Sequence, residues 1–371
     1  MTREECCAKK SEALEQFCME GDLLSCEKYG NGHINDTFLV RVMDKKAEKK
    51  YILQRMNGDV FKDPEKLMEN IVLVTDHLRA MIEKRGGDPK RETLNPIRTK
   101  DGNCFYKDSL GSYWRVYTFI TDAISLDQVR SPEDFYQSAV AFGRFSGQMA
   151  GFDAARLYET IPDFHNTPKR FEAFEKAVKE DICGRAKDVQ KEIAFYTDHR
   201  ETMSYCAKQL AEGKIPLRVT HNDTKLNNIM LDAVTGKGIC VIDLDTVMPG
   251  LSIFDFGDSI RFGANTAVED ERDLSKVSLS LELFETYVKG YLEGCKGALT
   301  PEEIRLLPYG AKTMTLECGM RFLTDYLQGD TYFMVHREGH NLDRTRTQIR
   351  LVEDMEQKWD RMEQIVASCS K

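Results

Sequence analysis

The sequence predicts an α+β protein of two lobes: a small antiparallel sheet with one helix, followed by a mainly helical region. Three observations carry this. The first 120 residues read strand, strand, strand, helix, strand, strand by their apolar alternation and turn signals. After Asp122 the pattern changes to long helical periodicities. Between them and a second helical stretch lies a loop-and-strand unit, residues 219 to 245, dense in Asp and Asn.

Taken in order, residues 3–19 have a helical pattern ended by Gly21. Strands follow over 23–29 and 37–43, joined by Gly30-Asn-Gly-His-Ile-Asn-Asp36, and over 50–55 after a charged turn. Residues 64–84 read as a helix, with Pro64 near its start and Gly86-Gly87 past its end. Two further strands are expected over 103–107 and 113–121. Ser131-Pro132-Glu133-Asp134 is a helix N-terminus: Ser caps, Pro takes the first turn, and the acids meet the dipole. Helices are expected over 132–150, 168–180 and 186–212, then from Thr300-Pro301 toward Leu327, and over 345–367. The expected division is a nucleotide-binding lobe over 1–121 and a catalytic and acceptor-binding lobe over 122–371, with the site between them.

With 371 residues, 41% hydrophobic and 30% charged, the chain has the composition of an ordinary soluble enzyme. A net charge of -9 argues against nucleic acid or an anionic membrane as the main partner. No apolar run reaches 18 residues, and Met1-Thr-Arg-Glu-Glu lacks the apolar core of a signal peptide, so a cytoplasmic protein is expected. The eleven cysteines are scattered, with no Cys-x-x-Cys and no His at ligand spacing. They read as reduced thiols, and a zinc site is not expected. The sequence does not determine an oligomeric state; a monomer is the default expectation.

The chemistry is concentrated in Val219-Thr-His-Asn-Asp-Thr-Lys-Leu-Asn-Asn-Ile-Met-Leu231 and Ile239-Cys-Val-Ile-Asp-Leu-Asp245. A His-x-Asp alone is weak, because an Asp after a His is often a turn residue. Here the Asp is followed five residues on by Asn228, and an apolar strand ends at Asp243. That is the layout of a phosphotransferase site, with an Asp beside the acceptor hydroxyl and an Asn and an Asp to hold magnesium on the nucleotide. Asp223 is the expected base, and Asn228 and Asp243 are the expected metal ligands. His221 is expected to fix the loop, and Asp245 to orient it.

Five segments carry a family likeness: Tyr29-Gly-Asn-Gly-His-Ile-Asn-Asp-Thr-Phe38, Tyr51-Ile-Leu-Gln-Arg55, Leu67-Met-Glu-Asn70, His221 to Leu231, and Arg321-Phe-Leu-Thr-Asp-Tyr-Leu-Gln-Gly-Asp-Thr-Tyr332. Together they resemble the aminoglycoside phosphotransferase and choline kinase superfamily, which has the protein-kinase-like fold. Within it, the chain looks like the N-acetylhexosamine 1-kinases. The resemblance implies ATP and Mg2+, an N-acetylglucosamine or N-acetylgalactosamine acceptor, and the roles of Asp223, Asn228 and Asp243 just given. It also implies sugar contacts from Arg321 and Tyr332.

The remaining candidates are less specific. Gly30 and Gly32 could form the turn over the phosphates, from which His33 and Asn35 would reach phosphate or sugar. Relatives place a Lys on the third strand, whereas this chain has Gln54 and Arg55 on opposite faces. Arg55 keeps the charge and could meet Glu69 or phosphate, leaving the clamp open between the two. Phe119 and Ile120, at the expected hinge, would pack beside adenine or fill the core. Trp114 reads as a core residue.

The leading expectation is therefore an ATP-dependent kinase of the anomeric hydroxyl of N-acetylhexosamines, by direct in-line transfer. The alternatives are a same-fold kinase of an amino alcohol, homoserine-like compound or aminoglycoside, and a nucleotide-binding scaffold without catalysis. The preference between N-acetylglucosamine and N-acetylgalactosamine turns on one hydroxyl, whose partners the sequence does not place.

Overall fold

The first lobe is built on alternation. In a computed structural model, which describes residues 3–30 and 34–371, α1 (Arg3–Leu14) is followed by β1 (Asp22–Lys28), β2 (Asp36–Asp44) and β3 (Ala47–Arg55). Next come α2 (Pro64–Lys84), the single turn α3 (Pro89–Glu92), β4 (Tyr106–Lys107) and β5 (Tyr113–Thr118). The strands form the antiparallel sheet that the sequence predicts, in the order β1-β2-β3-β5-β4. One face buries Phe38, Val40, Leu53, Trp114 and Val116 against Ala13, Leu14 and Phe17. The other presents Ile52 and Tyr117 to Leu67, Met68 and Ile71 of α2 and to Leu244 and Val247 of the second lobe. Helix α2 has the expected bounds, with Asp63 accepting from the Lys66 amide and Pro64 in the first turn.

The second lobe opens with β6 (Ala123–Ile124), α4 (Pro132–Met149) and α5 (Thr167–Glu180), the latter two close to prediction. The expected helix over 186–212 is divided instead: a short turn, then α6 (Gln190–Asp198) and α7 (Arg200–Ala211), broken at His199. Strands β7 (Arg218–Thr220), β8 (Ile229–Asp232), β9 (Gly238–Val241) and β10 (Met248–Gly250) form two small ribbons, β10-β7 and β6-β8-β9. Two helices were not expected, α8 (Ser252–Gly263) and α9 (Leu281–Cys295). The helix from Thr300 breaks at Leu306 into α10 (Pro301–Arg305) and α11 (Leu307–Leu327), opened by a capping box of Thr300 and Glu303. The tail is also two helices, α12 (His340–Gln357) and α13 (Trp359–Cys369). No described helix is long and apolar enough to cross a membrane.

Helices α4 and α9 touch backbone to backbone, which places the floor under the small strands. A Cβ on Gly143 would stand 2.2 Å from the Tyr291 carbonyl oxygen, and one on Gly294 would stand 2.4 Å from that of Val140. Gly147 and Gly290 are crowded in the same way. Glycine costs helix propensity at these four positions, and close packing compensates. Gly143→Ala is expected to lower the unfolding free energy by about 3 kcal/mol, the upper range for overpacking. Urea titration reads it, and a loss below about 0.5 kcal/mol would mean that the two helices separate freely.

Candidate active site

The loop after β7 is held from below by the start of α8. The buried Asp255 carboxylate accepts the His221 amide at 2.7 Å and the Asn222 amide at 2.8 Å. Burial pushes this carboxyl up to about 6, against the opposing pull of His221 and the two amides. Asn222 turns through a left-handed backbone, φ 64°, which those bonds and its own Nδ2 donation to Thr246 O help hold. Thr224 Oγ1 donates to Asp255 O at 2.6 Å, and Ser259 Oγ to Thr224 O at 2.8 Å. His221 is fully buried and committed at both ring nitrogens. Nε2 donates to Ile242 O at 2.9 Å, and Nδ1 accepts the Asp223 amide at 3.3 Å. Its geometry is that of a scaffold.

On this frame Asp223, Asn228 and Asp243 come together. Asn228 Nδ2 donates to Asp223 O at 2.8 Å and to Oδ2 at 3.1 Å, while Lys225 Nζ pairs with Oδ1 at 2.7 Å. The Asn228 side-chain oxygen is thereby turned away from Asp223. Asp243 follows β9 in a left-handed conformation, φ 58°, and Ile242 N donates to Asn228 O across the ribbon. Desolvation by the protein packed around it, then Asp245 and Asp223, push the Asp243 carboxyl up to about 6. Asp243 itself is exposed and Asp223 half-buried, so this is an open cleft of negative charge with oxygen donors, and a divalent cation would relieve it. Among the described residues no three His, Cys, Asp or Glu side chains make a full metal cage. Magnesium held by one or two carboxylates plus phosphate oxygens needs none. The donor set fits that ion, and Asp243 and Asn228 are the side chains that would hold it.

On the sheet-lobe side, the strand register separates the two candidates of the third strand. Gly32 and His33 lie outside the described residues; Gly30 has φ +72° and open space around its Cα. The sheet register sets Gln54 beside Arg115 of β5 and sets Arg55 beside Trp114. Arg55 thus lies on the face of Leu53, where Nε donates to Asp36 Oδ2 at 2.9 Å. Glu69, its other expected partner, is exposed on α2. Gln54 and Arg115 face the second lobe, and Arg115 donates to both oxygens of Asp245 at 2.5 and 2.9 Å. Asn35 Nδ2 donates to the same carboxylate at 2.7 Å. At the hinge Phe119 is half-buried, edge-on to Tyr29 at 5.9 Å, whereas Ile120 is buried in the core below. Trp114 is in the core, its Nε1 donating to Asp108.

The acceptor side is joined to the loop through His165. Its Nε2 lies 3.4 Å from Asn222 O, and its Nδ1 donates to Glu317 Oε1 at 2.7 Å. Glu317 is buried, its second oxygen without a partner among the described residues. Burial pushes its carboxyl up, but His165, Arg321 and Arg170 outweigh that and hold it below its usual value. One turn on, Arg321 stands over the rings of Phe333, Phe164 and Tyr332 at 5.5, 5.6 and 5.9 Å. Tyr332 is exposed, on a loop whose amides the buried Asp325 collects.

Sequence reasoning missed Arg115, Asp255, Lys225, His165, Arg170 and Glu317. Lys225 stood inside the quoted motif and Asp255 ten residues past it; Arg115, His165, Arg170 and Glu317 are remote in sequence and meet the site only through the fold.

Residues 25–294 match the model of the phosphotransferase enzyme family. Among solved structures, the chain is similar to an aminoglycoside phosphotransferase from Alicyclobacillus acidocaldarius, with 11% identity, 97% of this chain and 95% of that one covered, and a TM-score of 0.53. It is also similar to a choline kinase from Streptococcus pneumoniae, at 16% identity, 98% and 99% coverage and a TM-score of 0.50. A third is a spectinomycin phosphotransferase in complex with ADP and spectinomycin, at 14% identity, 94% coverage of each chain and a TM-score of 0.50. At such identities the likeness is one of fold.

Proposed function

The chain belongs to the phosphotransferase enzyme family, and from that premise we propose that it is an ATP- and magnesium-dependent kinase of free N-acetylhexosamines, making the sugar 1-phosphate. The observation that carries the acceptor class is the cluster beside the loop: Arg321 among Phe164, Tyr332 and Phe333, with Arg170 close enough to be perturbed by it. Two guanidiniums beside one buried carboxylate, Glu317, leave no surplus of negative charge to attract a quaternary ammonium or a polyamine. Flat rings and NH donors instead suit a neutral sugar ring and its acetamido carbonyl. The narrower identity of the sugar rests on the resemblance in the Arg321–Tyr332 segment.

On this reading, residues 1–121 bind nucleotide, residues 122–371 hold the acceptor and catalytic loop, and the protein works in the cytoplasm. Gly30 and Phe119 border the nucleotide. Asp223 accepts the anomeric hydroxyl proton as the sugar O–P bond forms and the γ-phosphoryl bond to ADP breaks. Lys225 and Asn228 hold the two oxygens of Asp223 in place. Magnesium, when bound, neutralises the developing charge on the phosphates.

The test is ATP consumption with N-acetylglucosamine, N-acetylgalactosamine, galactose, choline, homoserine and kanamycin, with phosphorus NMR of the product. Turnover confined to acetamido sugars, with phosphorus coupled to an anomeric proton, is the expected result. Turnover on choline or kanamycin alone would discard the sugar assignment and keep the kinase. Arg321→Ala is expected to raise the sugar KM by about tenfold, the loss of ~1.4 kcal/mol of binding, with the ATP KM unchanged. An unchanged sugar KM would remove Arg321 from the acceptor site.

A further inference from the structure

Protein kinases place nucleotide and metal through an ion pair between a lysine on the third strand of the sheet lobe and an acid on the adjacent helix. Among the described residues of this chain no ion pair joins the third strand to the adjacent helix: Lys49, Lys50 and Arg55 pair with Glu20, Asp44, Glu48 and Asp36. The third strand presents Gln54 to the cleft; Lys50, further along that face, stands over Phe119 at 6.0 Å, and Arg55 lies on the opposite face with Asp36. The adjacent helix α2 turns its Glu69 to solvent and offers Met68 instead, whose sulfur is 4.0 Å from Arg115 Nη1.

We propose that Arg115 of β5 and Asp245 replace that pair, with Arg115 as the positioning residue that fixes the Asp243 loop to the sheet lobe. The inference rests on the kinase reading of the site. Arg115 is 2% exposed and Asp245 is 3% exposed, and the guanidinium forks onto both carboxylate oxygens. Such a fork fixes direction as well as distance, which a lysine ammonium would not. Its remaining arm is also set, since Arg115 Nε donates to Gln54 Oε1 at 3.0 Å and Gln54 Nε2 donates to Thr37 at 3.1 Å. Gln54 therefore keeps the cleft-facing position of the third strand but orients a neighbouring cation.

The Asp245 side of the pair reaches further. Asn35 donates to Asp245 Oδ2 and accepts the Asn57 amide at 3.0 Å. The end of the turn between β1 and β2 is thereby tied to the same carboxylate. Asp243 is two residues away, in a left-handed conformation at the start of the tight turn Leu244–Thr246. One buried carboxylate thus joins the phosphate turn, the sheet and the metal-holding loop. A buried ion pair is poor evidence of stability, because desolvation offsets most of its attraction. Fixing the geometry of three segments gives it a reason to be kept.

The experiment compares wild type, Arg115→Lys and the double variant Arg115→Met/Asp245→Asn, which removes both charges so that neither is buried alone. Calorimetry measures ATP affinity with and without magnesium, beside kcat, KM for ATP and the thermal midpoint. The double variant is expected to bind metal-free ATP like wild type. Its gain in affinity on adding magnesium should fall by about 10–100-fold and its kcat by a similar factor, as for other groups that orient metal ligands. Arg115→Lys should fall between the two. If the double variant does not fold, Arg115→Lys decides by the same readings.

Variants that keep the magnesium gain and kcat within about threefold of wild type would overturn the proposal and leave the pair as core packing. A wild type that binds no ATP would remove the kinase reading and this role together. If wild type binds magnesium-ATP but phosphorylates no acceptor in the panel, only the acceptor reading fails, and magnesium-dependent binding still decides the pair.

Discussion

Asp223→Asn should reduce turnover by about 10²–10⁴-fold, the usual contribution of a positioned acid–base group. The substitution keeps shape and most of the local bonding: Asn228 still has the backbone oxygen of residue 223 at 2.8 Å as its acceptor. The amide can no longer take the proton of the attacking hydroxyl. Lys225 loses its ion pair, but its side chain is 41% exposed, so water replaces the partner at little cost. Magnesium-ATP affinity and the thermal midpoint should therefore stay near wild type, because Asn228 and Asp243 remain. Turnover above about a hundredth of wild type would remove Asp223 from the base role. Full loss accompanied by loss of nucleotide binding would point instead to collapse of the loop.

The first lobe was legible because its strands alternate and its helix carries both end signals. Phe38, Val40 and Val42 on one face of β2, and Pro64 and Gly86 around α2, leave little freedom. The unexpected helices fail those rules for physical reasons. In α8, from Ile253 to Arg261, every residue is buried, so its polar residues mark internal hydrogen bonds rather than a solvent face. In α9, Gly290 and Gly294 break the propensity pattern, yet they are what lets α4 approach. The continuous pattern over 186–212 is broken at His199, whose ring bonds Phe195 O at 2.7 Å and Glu356 at 3.0 Å.

The site was legible where one segment carries it and not where several elements converge. Asp223, Asn228 and Asp243 lie within 21 residues and share one ribbon, so spacing alone groups them. Strand alternation correctly separated Gln54 from Arg55, but it could not choose which faces the cleft. The register with β5 does, by placing Arg115 opposite Gln54. Arg115 itself reads as an ordinary strand residue until Asp245, 130 positions later, is brought against it. His165 and Glu317 are likewise 152 residues apart. No local pattern reports such pairs.

Asp255→Ala should be the most damaging change outside the reacting groups. Two effects oppose each other. Removing the carboxylate relieves a buried charge, whose cost is visible in a carboxyl pushed up to about 6. It also orphans the His221 and Asn222 amides, each worth about 1–3 kcal/mol when left buried without a partner. The second effect wins, because two donors lose their acceptor and the left-handed Asn222 loses its restraint. Activity should fall at least about 100-fold while the ATP KM moves little, since the loop aims Asp223 rather than the nucleotide. An Asp255→Ala enzyme with near-normal kcat would show that the loop holds itself. Asp255→Asn adds a check on sign. The folded carboxyl lies at about 6, above its ordinary 3.8, so its titration favours the folded state at low pH and that contribution is lost as pH rises through about 6. The stability advantage of wild type over Asp255→Asn should therefore narrow across that window. A gap in urea unfolding that widens instead would mean the carboxylate is stabilised in the fold, and that its two amides outweigh its burial.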